Sequence, residues 1–96
     1  MNIQIQSVKF DADKKLVAFV EEKVSKLDRF SEDIISADIT LKLDKDKEHG
    51  NKVAVVKLDV AGDTLVAERQ CKSFEEAVDL SVDALRKQIS KYKAKV

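Results

Sequence analysis

Every predicted strand of this 96-residue chain is apolar on one face only, so a sheet built from these strands can be buried on one side only. Ile3 and Ile5 alternate with glutamines in residues 2–8. The next strand, 35–43, alternates most clearly, with Ile35, Ala37, Ile39, Leu41 and Leu43 on one face. Val56, Leu58 and Val60 continue the pattern in a third strand, and Leu65 and Ala67 in a shorter fourth. A second layer must therefore cover the apolar face of the sheet.

Turn signals are few, because the chain has no proline and two glycines. Gly50–Asn51 lies near the end of a charged loop, 44–52, between two alternating segments. Gly62–Asp63 marks a second, tighter turn. These signals predict two hairpins, which would join the last three strands into an antiparallel meander.

Two segments have helical periodicity and can supply the second layer. In residues 16–30, apolar side chains recur in steps of four, four and three, flanked by Phe19 and Phe30, which predicts a helix of about five turns capped by Asp11 or Asp13. Ser73 and Glu76 form a capping box at the start of a longer helix. The apolar stripe of that helix contains Phe74, Val78, Val82, Leu85, Ile89 and Tyr92.

The order β-α-β-β-β-α predicts an α+β fold, a two-layer sandwich formed by a single domain over residues 1–96. A right-handed crossover makes strands 1 and 2 parallel, and the other strand pairs are antiparallel. We therefore expect a four-stranded mixed sheet with both helices on one face.

Composition and motifs favour a non-enzymatic protein without a cofactor, a metal or a small-molecule substrate. The chain has one histidine, His49, in the charged loop, where a solvated turn residue is expected rather than a catalytic base. It has one cysteine, Cys71, and one residue of each kind is too few for a usual zinc site. No glycine-rich phosphate loop is present. No apolar segment approaches the ~20 residues that span a bilayer, and the N-terminus does not resemble a signal peptide. A lone cysteine fits a reducing, cytoplasmic setting.

The charges are sorted, although the chain has 18 basic and 18 acidic residues and no net charge. In the first helix Lys15, Lys26 and Arg29 share one flank, with Lys23 beside them. In the second helix the acids precede the bases, which are Arg86, Lys87, Lys91, Lys93 and Lys95. This order can reflect the helix dipole, worth ~0.3–1 kcal/mol per charge near a helix end, or a surface for a polyanion.

The dipole explains the last lysines better than Arg86 and Lys87, and it does not explain the first helix. Tyr92, on the basic end, could stack on a nucleobase, but its place in the apolar stripe favours core packing. The polar face of the sheet lacks the aromatic rows of sheet-based RNA binders, so any contact with nucleic acid is expected from the helices.

The segment KSFEEAVDLSVDALRKQISKYKAK resembles the ribosome hibernation promoting factor family, also described as ribosome-associated inhibitors or sigma-54 modulation proteins. The similarity extends over the whole chain, including the opening NIQI strand and the order of elements. The first helix matches through Lys23, Lys26, Leu27 and Asp28. The last helix matches through Phe74, Val78–Asp79, Asp83, Leu85, Gln88, Lys91 and Lys93.

The resemblance implies a factor that occupies the decoding region of the small ribosomal subunit, between head and body, and keeps idle ribosomes inactive. It implies that both helices contact 16S rRNA, through Lys23, Lys26, Arg86, Lys87, Lys91 and Lys93. We add Arg29 from its flank of the first helix and Lys95 from the basic tail. The protein is expected to be monomeric off the ribosome and to act in stationary phase or stress.

Two departures from the family pattern bear on these expectations. Long members carry a further C-terminal domain that pairs ribosomes, and the chain, ending at Val96, is expected to lack that route. A base that the family often has at or beside Ala84 is missing.

Two alternative functions stay open. One is a double-stranded RNA-binding domain, whose α-β-β-β-α order resembles the chain after strand 1. Against it stand the extra first strand and the acidic start of the last helix. The other is an adaptor for a sigma factor, which only a family name supports.

Overall fold

The predicted order of strands and helices is confirmed in the computed structural model, which describes residues 1–45, 48 and 50–95. The elements are β1 Asn2–Val8, α1 Lys14–Ser25, a 3-10 helix Lys26–Arg29, β2 Ile34–Leu43, β3 Lys52–Val60, β4 Asp63–Cys71 and α2 Phe74–Lys95. His49 and the side chain of Lys95 lie outside the described residues.

The sheet has the order β1-β2-β3-β4, with β1 parallel to β2 and the other neighbours antiparallel, as predicted. Its register aligns apolar residues across strands, so that Ile5 lies opposite Ile39, and Leu58 opposite Leu65. The α2 helix crosses β3 and β4, and α1 lies beside α2 and packs over β1. Both helices therefore cover the same face, and the core lies between them and the sheet.

The helices contribute the apolar side chains that their periodicity predicts. Val20, Val24 and Leu27 are fully buried below α1 and the 3-10 helix, and Leu85 and Ile89 below α2. Full burial of a side chain of this size stabilises the fold by roughly 1.5–3 kcal/mol. The buried hydroxyl of Ser81 donates a hydrogen bond to the Ala77 carbonyl at 2.8 Å, so this polar group inside α2 has a partner.

The expectation that Ile35 faces the core is wrong. Ile34 pairs with Val60 and Ser36 pairs with Asp59, so β2 contains one extra residue at this point, a β-bulge. The bulge places Ile34 in the core and leaves Ile35 62% exposed. Leu43, at the other end of the strand, is also exposed, and the predicted alternation holds from Ala37 to Leu41.

The first helix is shorter than the predicted five turns. Asp13, rather than Asp11, caps it, accepting a hydrogen bond from the Leu16 N–H at 2.8 Å. The α-helix ends at Ser25, whose hydroxyl donates to the Glu22 carbonyl at 2.9 Å. A local hydrogen bond of this kind competes with the helical ladder, and the chain continues as a 3-10 helix. Ser73 caps α2 as predicted, by accepting from the Glu76 N–H at 3.2 Å.

The long hairpin loop is closed at Gly50, which is buried and has a φ of +101°. The side-chain amide of Gln70 donates to the Gly50 carbonyl at 2.8 Å. A Cβ atom on residue 50 would lie 2.2 Å from the carbonyl carbon and oxygen of Cys71. Both the backbone angle and the space therefore require glycine at this position.

We predict that Gly50→Ala destabilises the domain more than Gly62→Ala. Gly62 also has a positive φ, +83°, but a Cβ atom there meets nothing within 4 Å. Gly62→Ala should therefore cost about 1–2 kcal/mol, from the left-handed conformation alone. Gly50→Ala should cost clearly more, because the backbone of residue 71 must also move. Urea unfolding of the two variants measures the difference, and equal losses would contradict the close approach at Gly50.

Candidate nucleic-acid interface

The two helices form a groove between their solvent-facing flanks, which we call the interhelical groove. Its volume is about 240 Å³. It brings together four of the predicted binding residues, three from the first helical segment and one from α2. The lining residues are Lys23, Lys26, Arg29, Phe30, Asp79, Val82, Asp83 and Arg86.

Helical spacing explains why these bases lie on one wall. Lys23, Lys26 and Arg29 follow each other in steps of three, and side chains at i and i+3 share a helix face, most closely in a 3-10 helix. On the facing wall, Asp79, Val82 or Asp83, and Arg86 are likewise three or four residues apart. The charged side chains of both walls are therefore positioned by helices rather than by loops.

Carboxylates pair with the bases inside this groove. Lys23 lies 3.2 Å from Asp79, which links α1 to α2, and Arg86 lies 2.8 Å from Asp83. The order of acids before bases along the second helix therefore does not keep Asp79 and Asp83 apart from the basic side chains in space. Helical spacing pairs Asp83 with bases of α2 itself, and packing against α1 brings Asp79 to Lys23.

Lys87 and Lys91 lie on the opposite flank of α2. They line a second depression of about 410 Å³ between α2 and β4, together with Arg69, Leu80, Asp83, Ala84 and Gln88. We call it the α2–β4 groove. Lys87 lies 3.6 Å from Asp83, so that carboxylate contacts one base on each side of the helix.

Sequence reasoning missed Arg69 as a member of this basic surface. Side chains at every second position of a strand share a face, so Arg69 lies on the same face of β4 as Ala67 and Cys71, which are buried below α2. It is exposed because β4 is an edge strand and the helix does not cover its outer side. A base at an inward-facing position of the last strand is a signal that could have identified it.

The remaining predicted bases are dispersed. Lys93 lines a third depression, with Asp28, Arg29, Ser31, Glu32 and Asp33, and the side chain of Lys95 is not described. Within the described part of the chain, Arg29, Lys91 and Lys93 form no ion pair with a carboxylate. The charges of these three residues are therefore not offset by a paired carboxylate.

Tyr92 belongs to the core and not to the binding surface. Its ring is partly buried and packs against the core, and its hydroxyl donates a hydrogen bond to the Ala61 carbonyl. This contact ties the last turns of α2 to the β3–β4 turn. It supports the core interpretation of this residue over the stacking one.

Cys71 is buried at the end of β4, where the sequence predicts a semi-buried apolar role. Burial raises the pKa of its thiol, the negative charge of Glu76 raises it further, and Arg69 opposes the increase. Across residues 1–45, 48 and 50–95, no group of three histidine, cysteine or carboxylate side chains is placed to hold a metal ion. None of the described helices is long and apolar enough to span a membrane.

The chain is similar to proteins that act on ribosomes. Residues 3–96 match the model of the family described as sigma 54 modulation protein / S30EA ribosomal protein. The ribosome hibernation promotion factor of Bacillus subtilis is 33% identical over 98 aligned positions, which cover 100% of this chain and 50% of that protein. The ribosome hibernation promoting factor of Azotobacter vinelandii is 32% identical, with 99% of this chain and 85% of that protein aligned.

The structural comparison agrees with the sequence comparison. A ribosomal subunit interface protein from Coxiella burnetii has a TM-score of 0.87 and 26% identity, with 98% of this chain and 99% of that chain covered. The chain spans half or less of the length of two curated relatives that it matches, the Bacillus protein among them.

We predict that Cys71 reacts slowly with thiol reagents in the folded protein. The raised pKa leaves less thiolate near neutral pH, and the thiolate is the reactive form. The rate should increase as the pH rises above the usual range for a cysteine, and it should increase strongly in urea. Colorimetric titration with a disulfide reagent measures both. Fast labelling at neutral pH without denaturant would contradict the burial of this side chain.

Proposed function

This chain belongs to the sigma 54 modulation protein / S30EA ribosomal protein family, and from that membership we propose that it is a non-enzymatic ribosome hibernation factor. It binds the small ribosomal subunit in the decoding region and occupies the path of tRNA and mRNA. It thereby inhibits translation by idle ribosomes in the cytoplasm, in stationary phase or under stress. Off the ribosome it is a monomer.

The observation that carries this proposal is the convergence of bases from two separate helices on one groove. A helix dipole would favour bases near the end of each helix, but it would not bring those of α1 opposite Arg86. The α2–β4 groove adds Lys87, Lys91 and Arg69 on the other flank of α2. The solvent-facing surface of α2 is therefore the centre of the proposed footprint.

The proposed mechanism is steric, with electrostatic attachment. Lysine and arginine side chains displace counterions from rRNA phosphates, so the affinity depends steeply on salt. The ion pairs between bases and Asp79 or Asp83 are partly exposed, and such pairs contribute only about 0–1 kcal/mol each. These pairs therefore hold Lys23 and Arg86 only weakly and oppose RNA binding little. No sequence-specific reading is needed to block a channel of fixed shape.

We predict that the purified protein co-sediments with small subunits at low salt and is released as salt increases. The logarithm of the affinity should fall with the logarithm of the salt concentration with a slope on the order of −3 or steeper. Large subunits and a free RNA duplex serve as controls. No binding to small subunits at low salt would contradict the proposal, and preference for the free duplex would favour a double-stranded RNA-binding domain.

We further predict that charge reversal on either flank of α2 weakens ribosome binding without unfolding the domain. Lys26→Glu/Arg29→Glu tests the interhelical groove, and Lys87→Glu/Lys91→Glu tests the α2–β4 groove. All four residues are exposed, so the melting temperature should change little. Each double variant should lose affinity at least roughly tenfold at low salt, because two phosphate contacts become repulsive.

A matched control reverses the same number of charges on the open face of the sheet. Lys42 and Lys57 lie on that face, away from both helices. Lys42→Glu/Lys57→Glu should bind small subunits within about threefold of the unmodified protein. The small loss that remains comes only from the long-range repulsion between the added negative charges and the RNA. If the control loses as much affinity as the helix variants, the footprint is not on α2.

A further inference from the structure

We infer that the interhelical groove holds one unpaired nucleobase of RNA, with its ring against Phe30. This inference rests on the proposed function and adds a site and a ligand class to it. Four features of the groove carry it: an exposed aromatic ring, an apolar wall beside it, two carboxylates and a rim of bases. Phe30 supplies the ring, Val82 the apolar wall, and Asp79 and Asp83 the carboxylates, while the lysine and arginine side chains of the two helices form the rim.

Phe30 differs from the other phenylalanines of the chain in its surroundings. Phe10 and Phe74 stack on each other, with ring centroids 4.8 Å apart, and Phe19 is partly buried against the core. Phe30, at the end of the 3-10 helix, is 40% exposed and lines the groove. Proteins stack unpaired nucleobases on exposed aromatic rings of this kind, while neighbouring lysine and arginine side chains contact the adjoining phosphates.

The carboxylates determine which part of a nucleotide fits the groove. Asp79 and Asp83 repel a phosphate from the α2 wall, but they can accept hydrogen bonds from amino groups. Lys26 and Arg29 lie on the wall opposite α2, where Lys26 forms an exposed and therefore weak ion pair with Glu22 at 3.9 Å and Arg29 forms none in the described part of the chain. A nucleotide therefore fits with its base toward Phe30 and α2, and with its phosphate toward Lys26 and Arg29.

The two carboxylates also predict a preference among the four nucleobases of RNA. Cytosine, adenine and guanine each present an exocyclic amino group, and carboxylates accept from such donors, as from N4 of cytosine. Uracil has no amino group. A base-paired nucleotide cannot expose its ring face to Phe30, because it is stacked within the helix. The groove thus favours an unpaired base with an amino group and disfavours uracil and duplex RNA.

The first test measures binding of Phe30 variants to small subunits by co-sedimentation. Phe30→Ala should weaken binding roughly 5- to 160-fold, the range expected when a stacking partner is removed. Phe30→Trp should restore binding to within about threefold of the unmodified protein. The control is Ile35→Ala, which removes an exposed apolar side chain at the bulge of β2, outside the groove, and should leave binding unchanged.

The second test uses the absence of tryptophan from the chain. In Phe30→Trp, the single indole reports on the groove, and a stacked base should quench its emission. Short cytidine oligomers should quench more than uridine oligomers at equal occupancy, measured by anisotropy of labelled RNA. Adding Asp79→Asn/Asp83→Asn should reduce the difference between the two oligomers.

The outcomes separate this inference from the proposed function. If the unmodified protein fails to bind small subunits, the proposed function is wrong. If it binds them but Phe30→Ala binds equally well, or Phe30→Trp binds as weakly as Phe30→Ala, only the nucleobase site is wrong. RNA binding without quenching of the indole also overturns the site, because the ring is then not in contact with a base. Thermal unfolding of each variant identifies any loss that reflects misfolding.

Discussion

The burial of a single apolar sheet face under two helices is the constraint on which the rest of this molecule depends. Four strands, each apolar on one side, leave one face to cover, and one helix is too narrow to cover it. The α2 helix covers β3 and β4, and α1 must lie beside it, over β1. Two helices packed side by side on a sheet leave a groove between their outer flanks. The interhelical groove is thus a by-product of core formation.

The interhelical groove contains both basic and acidic side chains, and in the proposed function this mixture makes the groove selective. A wholly basic groove would attract any phosphate chain, whereas Asp79 and Asp83 weaken generic attraction and accept hydrogen bonds from donors that phosphates lack. Exposed ion pairs are weak, so Lys23 and Arg86 stay available to a stronger partner. A chain without net charge can therefore present a surface that suits one RNA shape better than RNA in general.

The acidic first turn of α2 and the basic residues of its second half have separate explanations. Glu75 and Glu76 lie at the helix N-terminus, where negative charge is stabilised by the dipole, and Ser73 caps the same turn. Arg86 and Lys87 lie in the middle of the helix, where the dipole contributes little. Arg86 lines the interhelical groove and Lys87 the α2–β4 groove, and both contact Asp83, so the two grooves meet at this carboxylate on the solvent-facing side of α2.

Most of the fold could be predicted from the sequence, because strand alternation, helical periodicity and the Ser73 cap are local properties. The errors arose where the backbone departs from the regular geometry that a sequence pattern assumes. Ile35 continues the alternation of β2 but lies outward, since a bulge resets the register against β3. The predicted first helix changes from an α-helix to a 3-10 helix after Ser25, which apolar periodicity does not reveal.

The sequence by itself determined the elements, their order, the covered face and the sorting of bases along both helices. Only the tertiary structure decided which charges of α1 meet those of α2. Lys23 and Asp79 lie 56 positions apart in the sequence, and their contact exists because α1 and α2 pack side by side. The exposure of Phe30 and Arg69 was likewise decided by packing, since a residue's periodicity gives its direction but not the position at which the covering layer ends.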